Sequence, residues 1–183
     1  MGPFLLAPWK KPESLRLQRI LVFVCCMSEN EFESVIYFYA QTDPYAEFSN
    51  FAPFGVAMDG MWWRTVEHFF QAQKFHDAGY RERIRLCSKP KNAKALGMTR
   101  NVALRSDWDE VKDQIMLDAV RVKFATHERP CELLLNTGTA KIVENAPMDS
   151  YWGCGSDGQG LNKLGKILMK VRRELQTRER VDQ

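Results

Sequence analysis

The 183-residue sequence predicts an α+β fold: a mainly helical single domain with a small antiparallel β element. Three observations predict it. Apolar residues recur at steps of three and four through 108–122 and again through 161–175, the spacing of a helix face turned to a core. Residues 34–39 (SVIYFY) are β-branched and aromatic, as strands are. Asp59-Gly60 stands between apolar flanks at 54–63 (FGVAMDGMWW), the two-residue signature of a type I′ hairpin. With 45% apolar and 27% charged residues the composition suits one core of this size, and two full domains are not expected.

Taken in order, residues 1–33 form a poorly specified leader ahead of a domain at 34–176 and a charged tail at 177–183. The apolar run at 20–27 (ILVFVCCM) has eight residues, against the ~20 that a bilayer requires. An acidic stretch (Glu29, Glu31, Glu33) follows it where a signal peptide would place small residues for cleavage. Translation is expected to have a natural start at Met27, which an intact mass would test. After the strand and hairpin, Thr65 caps a helix over 66–77 with Glu67 in its first turn. Ser88 precedes Lys89-Pro90, which opens a short helix closed by Gly97. Asp107 and Glu110 read as a capping box for a helix to about 126 that carries Trp108, Val111, Ile115, Ala119 and Val122. A helix over 129–136 ends before Gly138, and a short strand follows at 141–143. The last helix is expected to bury Leu161, Leu164, Leu168, Val171 and Leu175 in one stripe, with its basic residues on the other face.

Charge and composition narrow the function. The formal net charge of +3 is too small to mark a nucleic-acid binder by itself; residues 163–183 carry seven basic and three acidic side chains, so the remainder sums to −1. The five cysteines are scattered without C-x-x-C spacing, and the three histidines form no H-x-x-x-H pair. Neither a disulfide framework nor a metal site is expected, and a reducing, cytoplasmic location follows.

Two regions carry chemistry. On a helical wheel at 100° per residue, Glu67, Gln71 and Lys74 fall within roughly 60° of one another. Phe70 and Phe75 flank this strip. A carboxylate, an amide and an ammonium among aromatics are costly to desolvate unless they pair or line a wet pocket; an ordinary solvent-facing helix face is the alternative. His68 points away and is read as a packing or capping residue. The second region is 149–162 (DSYWGCGSDGQGLN). Its glycines spell G-x-G-x-x-G, but no βαβ unit follows, so a dinucleotide fold is rejected. A glycine-rich loop entering a helix can still offer backbone N–H groups to phosphate, with Asn162, Lys163 and Lys166 nearby. Taken singly, Arg64, Arg100 and Arg105 read as solvated, and Trp108 and Trp152 as core residues.

Four blocks together change those odds: 38–51 with FY and EFSNF, 65–75 (TVEHFFQAQKF), 104–124 (LRSDWDEVKDQIMLDAVRVKF) and 149–174 (DSYWGCGSDGQGLNKLGKILMKVRRE). In this order and spacing the chain resembles the NADAR (YbiA-like) family of N-glycosidases over about residues 36–176. The resemblance implies the YbiA-like fold. It also implies cleavage of the C–N bond between a phosphorylated ribose and a base-like amine, without a cofactor. Substrate classes would be early riboflavin-pathway phosphoribosylamino-pyrimidines, or ADP-ribose on guanine, which makes ADP-ribosylated nucleic acid a possible partner; no membrane partner is implied. The resemblance puts the active-site Glu on Glu67, the stacking Trp on Trp108 and the D-x-x-W-G element on Asp149, Trp152 and Gly153, and Lys74 and Asn162 match family positions; Glu67, Asp149 and Lys74 are accordingly expected to be catalytic, and Trp108, Trp152, Gly153, Asn162, Gln71 and Arg105 to bind substrate. Two departures stand out: Gly97 is followed by Met98-Thr99 before Arg100, where many relatives have Gly-Arg, and the leader has no recognised counterpart. A non-catalytic ADP-ribose-binding module needs the same aromatic walls without Glu67, and a nucleic-acid surface on the last helix would show steep salt dependence.

Overall fold

The computed structural model describes residues 34–181. The leader with its apolar run, Cys25, Cys26 and the expected start at Met27 lie outside the described residues, as do positions 182–183.

The first strand, β1 (Val35–Phe38), pairs in parallel with β4 (Lys141–Glu144), so that Phe38 stands opposite Glu144. This parallel pair goes beyond the antiparallel element expected. The hairpin of β2 (Val56–Met58) and β3 (Met61–Trp63) forms as predicted: Asp59 and Gly60 take φ of 53° and 73°, the two left-handed positions a type I′ turn demands, and Trp63 Nε1 donates to the Met58 carbonyl at 3.1 Å.

Six helices surround these strands: α1 (Val66–Ala72), α2 (Ala78–Arg85), α3 (Pro90–Gly97), α4 (Trp108–Thr126), α5 (Glu128–Leu135) and α6 (Lys163–Val181). Thr65 caps α1 by accepting the His68 N–H. The helix stops at Ala72 rather than near 77, because Phe75 makes an antiparallel bridge to Leu104 and the Lys74 carbonyl accepts the Arg105 N–H at 2.8 Å. Asp77, expected to be the helix end, instead caps α2, its Oδ1 accepting the Tyr80 N–H at 2.6 Å. That helix was not anticipated. Its cues are the Asp77 cap and the basic last turn, Arg83 and Arg85, rather than an apolar stripe. Asp107 precedes α4 without closing a capping box, since Arg105 takes its carboxylate.

The core joins Phe38, Phe48, Trp63, Phe69, Phe124, Ile142 and the α6 stripe Leu164, Ile167, Leu168, Val171 and Leu175. Leu161 does not belong to that stripe. It lies before α6 and is half exposed. Nor do all basic residues of α6 face outward: Arg172 is buried and donates to Thr137 Oγ1 at 2.6 Å, and Lys163 bonds Asp113 at 2.6 Å. The first residues of the expected charged tail continue the helix to Val181. Among the described residues no helix is long and apolar enough to cross a membrane, and no group of three or more His, Cys, Asp or Glu is arranged to hold a metal ion. Cys87 and Cys154 are free thiols.

Candidate active site

The site grows from α1, all seven residues of which are buried. α1 packs against α2, α3 and α4, which buries Glu67 and Gln71 and leaves Lys74 partly exposed. Glu67 is 5% exposed, which overturns the reading of the strip as an ordinary solvated face. Its backbone N–H donates to the Asn50 carbonyl at 3.1 Å, and its Oε1 accepts from Gln71 Nε2 at 2.8 Å. Burial drives the Glu67 carboxyl above the ordinary carboxylate range and the Asp149 charge adds to this, while the Gln71 hydrogen bond and then Lys94 and Lys74 pull the other way. His68 turns to the other side as expected, its ring nitrogens meeting Thr65 Oγ1 at 2.8 Å and the Cys87 carbonyl at 3.1 Å.

Gln71 is held against α3. A β-carbon on Gly97 would fall 1.8 Å from Gln71 Oε1, so only glycine admits this amide in its present place. That oxygen is buried with no hydrogen-bond partner among the described residues. Lys74 follows the end of the helix, and its Nζ donates to the Gly97 carbonyl at 3.2 Å, 5.9 Å from the centre of the Phe70 ring and 5.8 Å from that of Trp108. Burial lowers the basicity of this ammonium, as do Lys94, Arg100 and Lys112, against the opposing pull of Glu67. Phe75, expected beside the strip, instead packs edge-on to Tyr80 at 4.8 Å.

The indoles meet across one ring. Phe70 lies 5.0 Å from Trp108 and 5.3 Å from Trp152, the second contact edge-to-face, so α1 carries the wall between α4 and the glycine-rich loop. Both indoles remain partly exposed. Asp149 opens the loop, its Oδ1 accepting the N–H groups of Tyr151 at 3.0 Å and Trp152 at 2.8 Å, which fixes the turn that presents Trp152. Gly153 is buried where a side chain would collide with Ala146 Cβ at 2.7 Å and the Glu144 carbonyl at 2.9 Å.

Two residues expected to bind substrate are otherwise occupied. Asn162 is buried with φ of 49°, and its amide faces β4: Oδ1 accepts the Glu144 N–H at 3.0 Å and Nδ2 donates to the Ile142 carbonyl at 2.8 Å. It shapes the site rather than lining it. The Arg105 guanidinium is clamped by Asp107 at 2.6 and 2.8 Å, and it borders a separate cleft of about 400 Å³ with Met58, Asp59, Gln73, Glu110 and Asp118. What Arg105 supplies to the site is its backbone N–H, which holds Lys74.

Three contributors went unmarked in the sequence. Lys94, on α3, acts electrostatically on both Glu67 and Lys74. Glu144, at the end of β4, feels Asp149, Glu67 and Lys94. Lys123 is 1% exposed and donates to the carbonyls of Glu47 at 2.5 Å and Ser49 at 2.9 Å, bracing the turn whose next carbonyl, that of Asn50, takes the Glu67 N–H. A lysine between Val122 and Phe124 in the last turn of α4 was the available sign.

The fold is shared with known proteins. The model of the NADAR domain matches residues 37–176. N-glycosidase YbiA of Escherichia coli (strain K12) is 47% identical over 143 residues, 78% of this chain and 89% of that protein. N-glycosidase Npun_R5314 of Nostoc punctiforme is 50% identical over 143 residues, 76% of this chain and 92% of that protein. The chloroplastic riboflavin biosynthesis protein PYRR of Zea mays is 36% identical over 157 residues, 78% of this chain and 25% of that longer protein. The NMR structure of E. coli YbiA is similar with a TM-score of 0.75 and 46% identity, covering 80% of this chain and 88% of that one. The buried carboxylate strip, the indoles about Phe70 and the glycine-rich loop thus sit in a fold shared with named N-glycosidases, and the chain belongs to the NADAR domain family.

Proposed function

We propose that the chain is an N-glycosidase that hydrolyses the C–N bond between a phosphorylated ribose and a base-like amine, acting in the cytoplasm. The observation that carries this reading is the buried Glu67 carboxyl, held by Gln71 and set beside Lys74 and the ring of Phe70 on which both indoles converge. Relatives named N-glycosidase share 47–50% of their residues with the matched region, and two further relatives are named riboflavin biosynthesis proteins. Those names favour a phosphoribosylamino-pyrimidine as substrate; ADP-ribosyl-guanine presents the same phosphorylated sugar on a flat nitrogenous ring.

Breaking a ribosyl C–N bond develops oxocarbenium character at the anomeric carbon, so the reaction needs negative charge near that carbon, a base for water and a proton for the leaving nitrogen. Glu67 supplies acid–base function at the anomeric carbon, and Asp149 stabilises the developing positive charge. Trp108 and Trp152 stack on the base, each contact contributing ~1–3 kcal/mol. Lys74 has two possible functions. Its charge favours ionisation of Glu67, and its lowered basicity equips it to attack C1 of the ring-opened sugar, expelling the base amine as a lysine imine forms, which water then hydrolyses to the sugar aldehyde and free lysine.

The deciding experiment measures release of free base from a 5-phosphoribosyl-aminopyrimidine and, side by side, from ADP-ribosyl-guanosine. Glu67→Gln is expected to lose 10²-fold or more in kcat, roughly 3 kcal/mol, while still binding. A wild type that binds but releases no base from either substrate would leave a binding module in place of an enzyme. Borohydride added during turnover distinguishes the two functions of Lys74, since only the imine is trapped as a covalent adduct.

A further inference from the structure

We propose that Tyr151, bridged to Asp113 and Lys163, is a positioning residue that fixes the Trp152 indole relative to Trp108 and so makes the enzyme selective for a flat aromatic leaving amine. The inference rests on the N-glycosidase reading. The two indoles stand on different elements, Trp108 at the start of α4 and Trp152 on the glycine-rich loop, and the Phe70 ring meets both. A second tie joins the same two elements through side chains. Tyr151 Oη donates to Asp113 Oδ1 at 2.7 Å, and Lys163 Nζ, at the start of α6, donates to Asp113 Oδ2 at 2.6 Å.

Each end of this bridge lies next to one indole. Asp113 follows Trp108 on α4 by little more than one turn, and Tyr151 immediately precedes Trp152, its ring edge-on to that indole with centres 5.1 Å apart. Lys112, one turn beyond Trp108, sets its ammonium 4.3 Å from the centre of the Tyr151 ring, a further contact from α4 to the loop. The backbone secures the loop against α6: the Lys163 N–H donates to the Tyr151 carbonyl and the Leu164 N–H to the Trp152 carbonyl, each at 3.1 Å.

The charges keep the bridge closed at neutral pH. Burial works against the Asp113 carboxylate, but Lys163, Tyr151 and then Lys112 outweigh it and hold the carboxyl below its ordinary range. Burial, then the bond to Asp113 and the charges of Asp113 and Asp109, push the Tyr151 phenol up to about 12, so it remains a donor. A phenol donating to a carboxylate makes a charge-assisted bond, shorter and stronger than a neutral one. The Asp113–Lys163 pair is partly exposed, and such pairs add little to stability. What the bridge supplies is placement. A loose indole would have to be ordered each time a base enters, at a cost in affinity; one already held stacks on a planar ring without that cost. The sugar phosphate draws no benefit from it.

The test uses a 5-phosphoribosyl-aminopyrimidine labelled in its base and measures inhibition of turnover by its two halves, the free aminopyrimidine and ribose 5-phosphate. Tyr151→Phe keeps the ring beside Trp152 and loses only the hydroxyl. It is expected to raise KM, and to weaken inhibition by the aminopyrimidine, by roughly 5- to 100-fold, the range one base–aromatic stack supports. Its kcat and its inhibition by ribose 5-phosphate should stay within about twofold of wild type, the mark of lost uniform binding, whereas a merely destabilised protein would lose all of these together. Asp113→Ala should reproduce the pattern, and adding Tyr151→Phe to it should change little more, because the bridge is already broken. Losses that add independently overturn the bridge. Equal weakening of inhibition by both halves, a Tyr151→Phe effect on the aminopyrimidine under about twofold, or a wild type that the free base does not inhibit overturns the role of Tyr151, while turnover by the wild type keeps the N-glycosidase reading. A wild type that releases no base removes both.

Discussion

Neutralising Glu144 should stabilise the protein at alkaline pH and leave it unchanged in acid. Its carboxyl is lifted from 4.5 to about 7 in the fold, chiefly by burial, so the native state holds this proton more tightly than the unfolded chain does. Stability is therefore undiminished below pH 4.5 and declines as pH rises through 7. At 1.36 kcal/mol per pH unit the decline reaches ~3 kcal/mol, an upper figure because Glu67 and Asp149 share it. Glu144→Gln is isosteric and abolishes that decline. Urea unfolding at pH 8 should place the variant roughly 1–3 kcal/mol above wild type, a rise in Tm of several degrees for a domain of this size, with coincident curves at pH 4.5. A variant no more stable than wild type at pH 8, or equally stabilised at both pH values, would mean that Glu144 does not carry a buried, disfavoured charge.

Other perturbations separate positioning from stability. Gly97→Ala puts a methyl group 1.8 Å from Gln71 Oε1 and 2.9 Å from Gln71 Cβ, so the buried amide must shift and lose its bond to Glu67; urea unfolding should show a loss of roughly 1–3 kcal/mol. Activity should fall roughly 10-fold or more, as expected for loss of a hydrogen bond to a charged group, read as kcat/KM. Asn162→Ala removes two hydrogen bonds to β4 from a residue with positive φ, costing roughly 2–4 kcal/mol in urea unfolding, of which Asn162→Gly should recover about 1. Lys123→Met leaves the Glu47 and Ser49 carbonyls without their donor and should cost roughly 2–4 kcal/mol by the same measurement.

Much of the fold was legible because local chemistry and tertiary structure agree. Asp59-Gly60 can make only a few turns, Thr65 caps the helix that begins at Val66, and the Leu164-to-Leu175 stripe has one face to bury. Periodicity failed where a contact distant in sequence decided the outcome: α1 stops at Ala72 because residues 104 and 105 bind the chain beyond it, and Leu161 keeps the helical spacing yet precedes the helix. The wheel brought Glu67, Gln71 and Lys74 together correctly, although Lys74 reaches the strip from a turn after the helix. Arg105 and Asn162 share a feature that the sequence could not show. Composition shows that a polar side chain is present but not whether another part of the protein already engages it, and Asp107 and the β4 backbone do so here. Glu144 and Lys94 escaped notice because each is ordinary in its own segment and gains significance only from charged groups on other elements, Lys94 from Glu67 and Lys74 on or just after α1, Glu144 from Glu67, Lys94 and Asp149.

The buried amide of Asn162 has an effect on association between molecules as well. A two-stranded sheet offers its outer backbone to any extended peptide that can zip onto it, a common start of fibrillar aggregation. Along β4 that rim is already spoken for at Ile142 and Glu144 by one side chain and by the Cys154 N–H, so an incoming strand from another copy finds no row of free donors and acceptors there. The residue that braces the loop before α6 against β4 thus also occupies this seam.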